Sequence, residues 1–192
     1  MASRFEADPL YGAACESWQL QIGLAGTPGL VAAQQGLDVE GFHVVPAAAL
    51  HVTVLPLIDA AEVLSRPKAA LWSRHGPAWT AAIAAACARQ GPFRLRFTGL
   101  RFDRRAVIAV DAANPLSALR EVLAASCGLP ERPVRVPTIT HATLLRVRAP
   151  MLARRPTTVA SLAVEVPVAR LRLVHETVYP SLAVETLAEF AL

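Results

Sequence analysis

From Trp18 the chain alternates, with Trp18, Leu20 and Ile22 on one side of an extended segment and polar residues on the other. This period of two predicts a strand. Gly26, Pro28 and Gly29 then mark a turn, and GLVAAQQGL after it is short and helix-prone. FHVVPAAALHVTVLPL predicts a further extended segment, with Pro46 ahead of the strand rather than inside it. Between Ser65 and Arg89 the chain becomes alanine-rich. Pro67 suits a helix start there, and Gly76-Pro77 predicts a break into two helices. FRLRFTGLRF and AVIAVDA, joined across Asp103-Arg104-Arg105, read as adjacent strands. In the first of them Leu95 and Phe97 share one face, and Arg94 and Arg96 the other. Asn114 as N-cap, Pro115 at the first helical position and Gly128 as a stop bracket a third helical region. VARLRLVHETVYP predicts a last strand. In the tail SLAVETLAEFAL, Val184, Leu187, Ala188 and Ala191 fit a helical period, and a hairpin return fits equally well.

Both halves thus contain a helix and antiparallel-looking strands, and no low-complexity linker separates them. The expected class is α+β, with two similar lobes built into one domain over residues 1–192.

Composition narrows this picture modestly. A chain of 192 residues with 54% hydrophobic content can bury a substantial core. A net charge of +4 suits an anionic ligand such as a nucleotide or phosphate ester, but no long basic block marks a nucleic-acid arm. Cys15, Cys87 and Cys127 are far apart and form no metal-ligand spacing, so free thiols in a reducing compartment are expected. Glu6, Asp8 and Glu16 interrupt the apolar run that a signal peptide requires. The apolar stretch AWTAAIAAACA is about half the length that spans a bilayer. The expectation is a soluble, cytoplasmic protein without membrane contact. No Gly-Lys-Ser/Thr phosphate loop and no GxGxxG is present.

The candidate chemistry lies in a repeated unit. LHVTVLPL, residues 50–57, and THATLLRV, residues 140–147, share the order H-x-T-apolar, with His141 ninety residues after His51. In a strand His51 and Thr53 share one face while Val52 and Val54 share the other, and His141 and Thr143 stand in the same relation to Ala142 and Leu144. Two such strands side by side line a cleft with two imidazoles and two hydroxyls. One neutral imidazole can then take a proton from an attacking water or hydroxyl, and a protonated one can donate to the leaving oxygen. The threonine hydroxyls can donate to the non-bridging oxygens of a phosphodiester. Histidine suits both roles because its ordinary pKa, about 6.5, lies near neutrality. A third copy, HETV at 175–178, shows how readily the pattern arises; His175 follows His141 too closely to head a matching lobe and is expected to be structural or at a pocket rim. His43 and His75 have no supporting motif. No HxH or HExxH pair suggests a metal. Arg146 is placed by strict alternation on the face opposite His141 and Thr143, and so outside the site.

With its intervening elements, the pair LHVTVLPL and THATLLRV resembles the 2H phosphoesterase superfamily, which includes the 2'-5' RNA ligase-like proteins and cyclic nucleotide phosphodiesterases. VVPAAALHVTV is similar to the lead-in of that family's first motif, PLSALREVLAASCG to the helix before the second, and LRLVHETVY to its closing strand. The resemblance implies a bilobal fold of pseudo-two-fold symmetry, with antiparallel sheets lining a central cleft and helices outside. It implies His51 and His141 as catalytic residues, with Thr53 and Thr143 holding phosphate oxygens. It implies a 2',3'-cyclic phosphate of a nucleotide or RNA end as substrate, opened by a monomer without metal or cofactor. Tyr179 is a candidate to contact the substrate. RNA ligation, the reverse chemistry, and a nucleotide- or RNA-binding module without turnover are the alternatives. Thr140 stands where many members have proline.

Overall fold

The first predicted strand forms, and both of its faces are buried. Trp18, Leu20 and Ile22 are covered on one side, and Ser17, Gln19 and Gln21 on the other. A strand buried on both faces belongs inside a layered structure rather than at a solvent boundary. The structure, a computed structural model, describes residues 5–129, 132–154 and 162–192.

In chain order the first half gives β1 (Ala14–Gly23), α1 (Pro28–Gln35), β2 (Phe42–Val44), β3 (His51–Ile58) and α2 (Lys68–Cys87). After these come β4 (Phe93–Phe97), β5 (Gly99–Phe102), β6 (Ala106–Asp111) and α3 (Ser117–Cys127). The last part is β7 (Thr140–Val147), β8 (Val164–Val168), β9 (Arg170–Val178) and β10 (Ala183–Ala191). The fold is α+β. One antiparallel sheet has the order β10-β9-β1-β3 and the other the order β2-β7-β6-β5, while β4 and β8 pair as a two-stranded ribbon. β3, with His51, therefore belongs to one four-stranded sheet and β7, with His141, to the other, and the two strands pack against each other where the sheets meet. The chain does not complete one sheet before starting the other. β2 precedes β3 in sequence yet pairs with β7, and α1 also packs on β7. Helix α2 packs on β1, β10 and α3, and α3 reaches β3. No helix among the described residues is long and apolar enough to cross a membrane.

Three expectations change, and a fourth, left open between two readings, is decided. Residues 68–87 form one helix with Pro77 inside it, not two. A proline in a helix interior costs about 3 kcal/mol. Here the helix is carried through by its buried face, Trp79, Ile83, Ala86 and Cys87, and by Trp72 stacked on Trp18 at 5.4 Å. Gly76 is required at that point, because a Cβ there would lie 2.7 Å from the Trp72 ring. Asn114 is not an N-cap: it sits in a turn at φ 47°, the helix starts at Ser117, and its side chain is engaged elsewhere. FRLRF does not join AVIAVDA. It pairs with β8, an element the sequence pattern does not predict, and β5 is the strand that turns at residues 103–105 into β6. The tail is a strand, because β9 offers it an antiparallel partner from Ala183 to Ala191, with irregularities after Ala183 and at Leu187. Leu95 and Phe97 are buried and Arg94 and Arg96 exposed, in keeping with their alternation.

Candidate active site

The two H-x-T strands have the same local construction. From His51 to Leu57 and from His141 to Val147 the order is half-buried, buried, half-buried, buried, buried, half-buried, buried. The pair of consecutive buried residues, Val54-Leu55 and Leu144-Leu145, marks a bulge in each strand. Opposite β1, Leu55 pairs with Leu20 and Thr53 with Gln21, so two steps on β3 match one on its neighbour. Opposite β6, Leu145 pairs with Val107 and Thr143 with Ile108. A bulge inserts one residue and returns the next side chain to the face it would otherwise leave. Pro56 therefore lies on the face of His51 and Thr53, and Arg146 on the face of His141 and Thr143. The alternation that placed Arg146 outside the site fails at Leu144.

A cleft of about 540 Å³ is lined by His51 and Thr53 from one sheet and His141 and Arg146 from the other. Tyr179, Asp8, Gln19, Glu176 and the exposed Arg101, Arg105 and Arg135 also line it. Thr143 opens onto an adjoining cavity of about 370 Å³ that shares His141, Arg146, Asp103 and Arg105 with the cleft. All five candidate residues thus stand in or beside one concavity.

His51 Nδ1 donates to the Ala49 carbonyl at 2.8 Å. A carbonyl only accepts, so the bond places the hydrogen on Nδ1 and leaves the lone pair of a neutral ring on Nε2. Burial lowers the pKa of His51 to about 4, with Arg146, Arg172 and His141 acting in the same direction and the Ala49 bond against it. The pKa of His141 is also lowered, chiefly by burial and then by Arg146 and Arg120. The Ile139 carbonyl, again two residues before the histidine, and Asp103 act in the raising direction. Nδ1 of His141 nevertheless has no partner of normal hydrogen-bond geometry. Both rings are accordingly neutral near pH 7 without a ligand, and a bound anion would favour protonation.

Arg146 is held from two sides. It pairs with the nearly buried Asp8 at 3.0 Å, and its guanidinium lies 5.3 Å from the centre of the Tyr179 ring. Tyr179 is in the cleft as expected, but a ring face meets Arg146. The Thr53 hydroxyl donates to Gln19 Oε1 at 3.1 Å, and Gln19 Nε2 donates to Ser181 Oγ at 3.1 Å. Ser181 Oγ and the backbone amide of Ser181 both donate to Glu176 Oε1, while Ser17 Oγ donates to Glu176 Oε2 at 2.7 Å. Burial raises the pKa of Glu176, and these bonds oppose the shift. The Thr143 hydroxyl has no hydrogen-bond partner among the described residues.

Gln19, Glu176 and Arg146 are cleft residues that the sequence pattern does not single out. Polar residues alternating with Trp18, Leu20 and Ile22 look like a solvent face, and only the second sheet turns that face into a cleft wall. His175 is adjacent to the cleft residue Glu176 and so points the other way, stacked on Trp18 at 4.4 Å, outside the cleft lining. A separate cavity of about 590 Å³ beside α2 includes Arg132 and Glu62, but these are already paired with each other. Among the described residues no group of three or more His, Cys, Asp or Glu is placed to hold a metal ion.

These features belong to a known class. The chain belongs to the 2'-5' RNA ligase superfamily, whose family model matches residues 29–180. The crystal structure of TT0787 of Thermus thermophilus is similar at 26% identity and a TM-score of 0.74, covering 92% of this chain and 97% of that one. E. coli LigT in its apo form is similar at 17% identity and a TM-score of 0.69, covering 93% of this chain and 98% of that one. A protein described as a phosphoesterase matches at 20% identity and a TM-score of 0.67, covering 92% and 98%. At 17–20% identity the last two establish the shared fold. No curated protein matches the sequence.

Proposed function

We propose that this protein is a metal-independent phosphodiesterase that opens the 2',3'-cyclic phosphate of a nucleotide or RNA end. The observation that carries the reading is that His51 and His141, from different sheets, line one cleft with the Arg146 guanidinium. In the reaction one neutral imidazole removes a proton from water as its oxygen bonds to phosphorus. The other, protonated, gives its proton to the ribose oxygen as the ring P–O bond breaks. One water is consumed, and a phosphomonoester with one free ribose hydroxyl results. Arg146, Thr53 and Thr143 hold the non-bridging oxygens as charge shifts onto them. Thr53 exchanges its bond to Gln19 for one to phosphate. Its counterpart Thr143 has no such bond to give up. Tyr179 backs Arg146 and forms part of the substrate wall. The substrate is anionic, so its entry raises the depressed histidine pKa values and helps supply the acid form. Structures of E. coli LigT with phosphate and with 3'-AMP make those ligands natural first probes.

Hydrolysis of 2',3'-cyclic nucleotides in the presence of a chelator tests the reading. His51→Ala and His141→Ala should each lower kcat by on the order of 100-fold or more, and kcat/KM should trace a bell centred below about pH 6.5. Activity surviving both substitutions would eliminate the mechanism, and binding of a cyclic phosphate without turnover would favour a pure binding module. The name of the superfamily favours one second reading, 2'-5' ligation, because the same two histidines serve the reverse reaction. Supplying RNA ends with 2',3'-cyclic phosphate and 5'-hydroxyl groups, then seeking a 2'-5' linkage, tests it.

A further inference from the structure

Arg120, on α3, is fully buried and has no ion-pair partner among the described residues. A buried guanidinium without a carboxylate is costly unless its donors are satisfied. Here Nε donates to the Val54 carbonyl at 3.0 Å and Nη2 to the Thr53 carbonyl at 2.9 Å. Nη1 donates to Asn114 Oδ1 at 3.0 Å and to Thr140 Oγ1 at 3.2 Å. Thr140 Oγ1 in turn donates to Asn114 Oδ1 at 2.7 Å.

These partners are not scattered. Thr53 and Val54 stand at the bulge just after His51, on a strand with a sheet neighbour on one side only. Thr140 immediately precedes His141 on the other sheet. The planar guanidinium fork meets two successive carbonyls on one side and a hydroxyl on the other, a geometry the point charge of lysine cannot reproduce. We propose that Arg120 is a positioning residue that joins the two H-x-T strands and fixes His51 and His141 relative to each other. The inference rests on the proposed reading of those histidines as the acting pair. It also gives Thr140 a role: its hydroxyl completes the junction, and proline at this position has no hydroxyl to offer.

The test uses Arg120→Lys and Thr140→Val. The lysine variant keeps the positive charge that acts on His141, so it isolates geometry from electrostatics. In folded Arg120→Lys, kcat for a 2',3'-cyclic nucleotide should fall on the order of 100-fold with KM changed less than about threefold. Thr140→Val, which removes one hydroxyl and keeps its shape, should lower kcat on the order of tenfold in the same pattern. NMR titration of the two imidazoles provides a readout independent of turnover. In wild type, protonation of one should shift the titration of the other, and both variants should weaken that coupling while inorganic phosphate still binds at Arg146. Wild-type kcat and wild-type coupling in both variants would overturn the proposal. Should Arg120→Lys fail to fold, Thr140→Val decides by the same criteria. If wild type itself shows no turnover, the phosphodiesterase reading fails, and the coupling alone decides whether Arg120 sets the histidine geometry.

Discussion

The strands that carry His51 and His141, β3 and β7, are built alike and charged differently. Each places a histidine and a threonine on one face and has the carbonyl two residues before the histidine beside its ring. Each bulges at the third and fourth residues beyond, returning the fifth to the cleft side. That fifth residue is Pro56 in one strand and Arg146 in the other. The hydroxyls differ as well, with Thr53 tied to Gln19 and Thr143 without such a tie. The shared backbone thus repeats a histidine–threonine unit, and the difference at the fifth residue puts a cleft-facing guanidinium on β7 and none at the matching position of β3. In the proposed reaction, repetition supplies two proton-transfer groups, and asymmetry supplies a direction for the phosphate.

Removing the asymmetry should have the largest effect. Arg146→Met is best made together with Asp8→Asn, so that no nearly buried carboxylate loses its partner. Loss of a charge-assisted contact to phosphate should weaken inorganic phosphate binding on the order of 10- to 100-fold, measured by calorimetry. The positive charge of Arg146 lowers the pKa of both histidines, so its loss should move both upward and shift the kcat/KM bell to higher pH. A shift confined to one histidine would show that Arg146 serves only one strand.

A smaller effect concerns stability in acid. The folded-state pKa of His51 is about 4, below the unfolded value near 6.5. Between those values the unfolded chain binds the proton and the folded one does not. Stability is therefore full above about pH 6.5, falls as pH drops through the window, and levels off below about pH 4. Allowing for partial exposure of the residue, His51 should contribute about 2 kcal/mol of acid sensitivity. Urea unfolding at pH 7 and at about pH 4.5 measures it, and His51→Gln should show a correspondingly smaller loss. An unchanged loss would assign the acid sensitivity to other groups.

The parts legible in the sequence are those that strict alternation governs. His51 with Thr53, and His141 with Thr143, fall together because no irregularity separates them, and Leu95 and Phe97 are buried for the same reason. Arg146 was not legible, because Leu144 adds a residue that parity cannot reveal. Gln19 and Glu176 were hidden by their polarity, which suggests solvent until two sheets enclose them. Asn114 carries the chemistry of an N-cap, but the buried Arg120 and Thr140 compete for its side-chain oxygen, and the helix begins later. The tail fits either period, and pairing with β9, a contact distant from its own local pattern, decides it. The pairing of each histidine with its threonine on one face is local enough to read, whereas the residues around them are brought in by a bulge and by tertiary contacts.

The central claim is that two histidines from different sheets address one phosphate. The most direct measurement follows the His51 and His141 ring resonances by NMR across pH, with and without one equivalent of inorganic phosphate. The account predicts that a single binding event raises the pKa of both rings, with one Kd fitting both. A rise in only one ring, or two unrelated binding curves, would contradict it.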